Sequence, residues 1–216
     1  ARYFLPYAGF FMEKAKRDNY VKKLNKKNSI EEFEETCEIN KCSLLNLDKY
    51  QKFVFNGSQL ESQTVDKAKK NPSYDVDEYI SKSISKYKDN LSDNVLSYFR
   101  GCNFKDSLTV DLIATNDNFS TYYDRFLLNF KTNVYNSISL DSDNTQIEND
   151  VLSSNCRYLQ IKVRASELFV VLKEGKPWED LAIGFQCRIY RQPNIYNSEF
   201  WFYFTNIYIG NAAATG

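Results

Sequence analysis

The spacing of apolar residues changes character near residue 105. Upstream, apolar positions recur every three or four residues, and Tyr7, Phe10, Phe11, Ala15, Val21 and Leu24 predict a helix within 7–27. A second helix is expected to start at Ser29, where Glu32 completes a capping box. The longest stripe runs through Tyr79, Ile80, Ile84, Tyr87, Leu91, Val95, Tyr98 and Phe99. With Asp75 and Glu78 as a capping pair and Gly101 as a stop signal, it predicts one long third helix. Between the second and third helices, the run KYQKFVF before Asn56-Gly57 predicts a strand entering a turn.

Downstream the period falls to two. Leu108, Val110 and Leu112 share one side of a strand, as do Phe126, Leu128, Phe130, Thr132 and Val134. The same alternation joins Leu159, Ile161 and Val163, and then Ile183, Phe185, Cys187 and Ile189. LFVVLK at 168–173 and the aromatic run from Phe200 to Ile209 read as further strands. About six strands separated by Asn-, Asp-, Ser-, Gly- and Pro-rich turns suit an antiparallel arrangement. The acidic, polar residues 139–150 read as a long surface connection. The expected fold class is therefore α+β: a helical N-terminal half packed on a C-terminal antiparallel β-sandwich or barrel. One domain is expected over 1–216, helical over about 1–104 and β-rich over about 105–216.

Charge narrows the function only by exclusion. Lys+Arg and Asp+Glu each number 28, so net charge is zero, which argues against a general nucleic-acid partner. The basic run from Lys14 to Lys27 and the acidic run from Glu31 to Glu38 read as solvated helix faces. No stretch approaches the ~18 apolar residues of a membrane span, so no membrane partner is expected. The opening ARYFLPYAGFFMEKAKR lacks the clean apolar segment of a signal peptide. A start at Ala1 implies that an initiator Met or a longer leader has been removed.

The chemistry-bearing residues exclude more than they assign. With no histidine, Ser-His-Asp and Cys-His nucleophiles, imidazole zinc sites and an imidazole pH switch all fall away. Asp141, Asp143, Asn144, Glu148 and Asp150 lack the glycine and ligand spacing of a calcium loop. The seven glycines are isolated, so no phosphate-cradling loop is present. No catalytic, metal or cofactor-binding residue is assigned, no cofactor is expected, and the chain reads as a non-enzyme. Of the five cysteines, Cys37, Cys42, Cys102 and Cys156 are candidate cross-link residues, within a chain or between chains. Cys187, among apolar strand residues, reads as a buried small hydrophobe.

Aromatic content then dominates, with 16 tyrosines, 16 phenylalanines and two tryptophans. Without histidine, the main charge change above neutrality is tyrosine and lysine titration near pH ~10. A close-packed array held by buried phenols should come apart in alkali, because an unpaired buried phenolate is costly. This profile of size and composition resembles the insect-virus occlusion-body matrix proteins, the polyhedrins, and among them the nudivirus type. The resemblance implies a structural protein that assembles with itself into a protective lattice around virions. It implies an inclusion within the infected cell, in the nucleus, that dissolves in alkali. An alternative is a secreted or surface β-sandwich module binding glycan or protein through exposed aromatics such as Trp178, Trp201 or Tyr208.

Overall fold

A computed structural model describes residues 2–6, 14–24, 30–45, 51–57, 59–64, 75–88 and 91–214. The chain divides into two compact units, Ala1–Asp77 and Glu78–Gly216. The first runs β1 (Tyr3–Phe4), α1 (Asn19–Leu24), α2 (Ile30–Ile39), β2 (Ser43–Leu44), β3 (Gln51–Asn56) and β4 (Gln59–Thr64). β1 pairs in parallel with β2, and Phe4 packs on Phe33 of α2 with ring centroids 5.4 Å apart. β3 and β4 form the hairpin signalled by Asn56-Gly57, with Gly57 at a φ of +62° that suits a residue lacking Cβ. Tyr7, Phe10, Phe11 and Ser29, which carry part of the helix expectations in this unit, lie outside the described residues.

The second unit opens with α3 (Val76–Lys88) and α4 (Leu91–Gly101), so the stripe read as one helix is divided between two. There follow β5 (Leu108–Thr115), β6 (Tyr122–Asn129), β7 (Val134–Ser137), α5 (Asn144–Ser153) and β8 (Arg157–Arg164). The unit ends with α6 (Ala165–Glu174), α7 (Glu179–Ile183), β9 (Cys187–Gln192) and α8 (Ser198–Ala214). One five-stranded sheet has the order β7-β6-β5-β8-β9. Its central pair, β5 and β8, is parallel and joined by a connection that includes α5, while the other pairs are antiparallel.

The class is α+β, as the alternation of periods implied, but the expected sandwich or barrel does not form. Strands and helices are interleaved, and the five-stranded sheet remains open. Two segments read as strands, 168–173 and 200–209, are helical. Both are apolar around most of their circumference, and in such runs a buried helix cannot be separated from a strand by period alone. The run 126–134 contains a strand end, a turn and a second strand. Asn129 stops β6 by accepting the backbone N–H groups of Lys131 and Thr132, both at 3.0 Å. Within the acidic connection, Asp143 caps α5 by accepting from the backbone of Thr145 at 2.8 Å and Gln146 at 3.3 Å.

One face of the sheet carries the core. Leu112, Phe126, Leu159 and Ile161 belong to one buried apolar cluster with Phe99 of α4, Leu168 of α6 and Phe204 of α8. Phe99, Phe104, Phe130, Trp178, Phe200 and Phe204 form a continuous ring cluster, with contacting centroids from 4.7 to 6.2 Å apart. Trp178 and Trp201 are 0% and 4% exposed, which corrects their reading as exposed recognition aromatics. The Tyr208 side chain lies outside the described residues. Among the described residues, no helix is long and apolar enough to cross a membrane.

Candidate functional site

The pleat that sends Val110 and Leu112 into the core sends Thr109, Asp111, Ile113 and Thr115 to the opposite face. There Asp111 is the hub of a polar network. Arg125 of β6 grips it through two bonds, Nε to Oδ1 at 2.8 Å and Nη2 to Oδ2 at 2.7 Å. From β8, the Tyr158 hydroxyl donates to Oδ2 at 2.6 Å and the Gln160 amide at 2.9 Å. Arg125 also donates from Nη1 to the Ser142 carbonyl and from Nη2 to the Asn144 side chain, each at 2.7 Å. The Asp111 and Arg125 side chains are 0% and 1% exposed. Burial, then the neighbouring carboxylate, holds the Tyr158 phenol well above its ordinary range. This network is buried. Its role is to pin the loop before α5, and the start of α5 itself, onto the sheet.

Further along the same face the lining becomes cationic and reaches solvent. Lys162 of β8 is the register partner of Arg188 of β9, and Arg164 follows two residues on. Lys162 Nζ donates to the Tyr122 hydroxyl at 2.5 Å, and among the described residues it meets no carboxylate. Arg164 is buried, bonding the Asp117 carbonyl and Gln186 Oε1, each at 2.8 Å. Its guanidinium also lies 5.2 Å from the centroid of Phe119, and that of the exposed Arg188 lies at 4.3 Å. Phe119 sits at a φ of +63°, an unfavourable value for a bulky residue. Asn116 holds the turn by accepting from the backbone N–H groups of Ser120 at 2.9 Å and Thr121 at 3.1 Å. The Arg188 guanidinium and the Lys162 ammonium thus share a surface with a phenyl and a phenol ring, with the buried Arg164 guanidinium beside the phenyl. That combination suits an anion attached to a planar group.

None of these residues was singled out by the sequence reading. The signal was present: YLQIKVRA places Lys162 and Arg164 on the polar parity of an otherwise buried strand. Sequence alone does not show that Arg188 and Phe119 meet them, because both arrive from separate loops and strands.

The cysteines singled out instead are all free thiols, so the expected disulfide is corrected: none forms within the chain. Cys37, Cys102 and Cys156 are buried and Cys42 is partly exposed. Cys37 and Cys42 lie close, the Cys42 N–H donating to the Cys37 carbonyl at 3.0 Å. Cys102 donates its thiol to the Phe99 carbonyl at 3.0 Å, and Cys156 packs with Val151 and Tyr158. Cys187 is buried as expected, and burial pushes its thiol up to about 11.

Tyr87, Tyr98 and Tyr158 serve the interior of one chain. Tyr87 donates to Asp124 at 3.0 Å, Tyr98 accepts the Trp178 indole N–H at 3.0 Å, and Tyr158 bonds Asp111. These three phenols serve core packing and give no support to the alkaline-release element expected of a lattice. Among the described residues, no three His, Cys, Asp or Glu side chains gather as metal ligands.

No protein-family model matches the chain. It is 28% identical over 219 aligned residues to the cytidine monophosphate-N-acetylneuraminic acid hydroxylase of Macaca mulatta, covering 94% of this chain and 35% of that protein. The same enzyme of Mus musculus matches at 28% over 94% of this chain and 36% of its own length. The inactive counterpart of Homo sapiens matches at 28%, with 94% and 41% covered. The chain thus spans between about a third and two fifths of the length of these curated relatives. Among solved structures, a sterol carrier protein-2 like-3 of Aedes aegypti aligns with a TM-score of 0.35 and 10% identity, over 65% of this chain and 99% of that one. The hydroxylase matches overturn the resemblance to occlusion-body proteins, the self-assembling matrix function drawn from it and the non-enzyme reading.

Proposed function

We propose that this chain is part of an enzyme acting on a cytidine monophosphate-linked sugar acid, and that the Lys162–Arg188 face receives the anionic part of that substrate. The observation that carries the reading is the similarity to hydroxylases named for this substrate, maintained over 94% of the chain. The chemistry of the face agrees with it. Such a substrate presents a phosphodiester, a carboxylate and a flat pyrimidine. Lys162 and Arg188 offer a point charge and a planar fork, and Phe119 and Tyr122 offer ring faces beside them. Arg164, bonded to the Asp117 carbonyl, acts as a positioning residue for the turn that carries Phe119. In this reading the chain supplies substrate binding to the enzyme.

Calorimetric titration of the folded chain with CMP and with CMP-N-acetylneuraminic acid tests the proposal. Saturable binding that weakens with salt is expected, and Lys162→Glu or Arg188→Glu should raise Kd about tenfold or more, ~1.4 kcal/mol. Absence of binding by the folded wild type, or an unchanged Kd in both variants, overturns it.

A further inference from the structure

On the helical side of the sheet, α4, α6 and α8 line an open pocket of about 400 Å³, within the size range of small-molecule sites. Its polar lining comes from Asn94, Ser97, Tyr98, Cys102, Lys173 and Tyr203. The surrounding layer is otherwise built of aromatic and aliphatic side chains, so this concentration of polar groups is a local departure. No carboxylate lines the pocket, and one ammonium does.

The hydrogen bonds leave a surplus of donors. Lys173 Nζ donates to Asn94 Oδ1 at 2.9 Å, which uses one of its three N–H groups. The Tyr98 hydroxyl accepts the Trp178 indole N–H at 3.0 Å, and among the described residues its own proton has no acceptor. Tyr203 donates to the Cys102 carbonyl, which leaves the lone pairs of its oxygen for a ligand hydroxyl. Ser97 is exposed at the rim. A cation and an unspent phenol donor converge on one space, with hydroxyl and amide groups around them.

We infer that this pocket binds a small hydroxylated carboxylic acid, its carboxylate held by Lys173 and Tyr98 and its hydroxyls by Tyr203 and Ser97. A carboxylate gains an ion pair with the Lys173 ammonium that a neutral sugar does not, and a purely apolar ligand would bury the Tyr98 proton unpaired. The site lies across the sheet from the Lys162 face, so it stands whether or not that face binds a sugar nucleotide.

Ligand-observed NMR and calorimetry on the whole chain, with N-acetylneuraminic acid and its neutral methyl ester as probes, test the inference. The acid should bind saturably, and the ester about tenfold or more weaker. Lys173→Met changes an exposed side chain and should weaken the acid about tenfold while leaving the fold intact. Tyr98→Phe should weaken it several-fold, with thermal melting checking that the loss of the Trp178 acceptor has not unfolded the helices. Three outcomes overturn the inference: no saturable binding to the wild type, equal affinity for acid and ester, or full affinity in Lys173→Met.

Discussion

On one face of the five-stranded sheet, Leu112, Phe126, Leu159 and Ile161 meet α4, α6 and α8 through apolar contact alone. On the other, the same strands set Asp111, Arg125, Tyr158 and Gln160 against a loop and α5. The apolar face gains from area removed from water, which is non-directional and tolerates repacking. The polar face gains little net energy from its ion pair, since desolvation offsets much of the attraction. Its contribution is registry. A slip of one residue in β5 would carry Asp111 into the aromatic cluster and Leu112 into the network, and neither site could accept the exchange. The comparison teaches that stability and specificity are drawn from opposite faces of one sheet.

The sharpest way to break this division is Asp111→Ala, which leaves the Arg125 guanidinium buried with half its bonds unmade. A loss of about 3–5 kcal/mol is expected in urea unfolding. Phe204→Ala on the other face should cost a similar ~3–5 kcal/mol by opening a cavity among the rings. The double change Asp111→Leu with Arg125→Leu separates the two cases. If the network chiefly sets register, the double variant should recover most of the stability lost by Asp111→Ala. A double variant no more stable than the single would show that the polar face stabilises directly.

How much of this was legible depends on how one-sided each element is. β5 and β8 are legible because Leu108, Val110 and Leu112, and Leu159, Ile161 and Val163, alternate, whereas Asp111 within SLTVDLIAT is not singled out by that pattern. Its partners could not be read, because Arg125 and Tyr158 reach it through strand pairings that no local pattern encodes. α8 was misread for the opposite reason. SEFWFYF is apolar on every side, so burial replaces periodicity, and aromatic β-propensity pointed the wrong way. The candidate site was the least legible part, because its cations come from β8 and β9 and its phenyl ring from the turn at Phe119.

Phenols on both sides of the sheet give a second test. Burial raises Tyr98 among the helices and Tyr158 in the network, and Tyr87 is raised likewise beside Asp124. The folded state holds these protons more tightly than the unfolded chain does. Their contribution is fully present below the unfolded value near pH ~10 and is lost as pH rises above it. Cooperative unfolding of the single chain above about pH 10 is expected, with tyrosinate absorbance and loss of helical circular dichroism coinciding for these buried groups. Tyr158→Phe should cost about 1–2 kcal/mol at neutral pH and reduce the alkaline loss. Full ionisation of all 16 tyrosines before any loss of structure would mean that neither face buries its phenols.

The smallest effect concerns the edge of the apolar face, where that face is thinnest. Cys187 on β9 is 7% exposed, and its thiol lies 3.5 Å from the Leu181 carbonyl. With the thiol pushed up to about 11, only about one molecule in a thousand carries the thiolate at pH ~8. Because the folded value is raised, the thiol contributes stability that is complete below its unfolded value and lost as pH climbs toward about 11. Cys42, partly exposed, should therefore react with iodoacetamide first. Cys187 should be modified only as the unit opens, with a rate that rises with urea. Cys187→Ala should cost no more than about 1 kcal/mol, because the edge can relax around the lost sulfur. Rapid labelling of Cys187 in the folded protein would place solvent between β9 and the core, and the division between the two faces would end at β8.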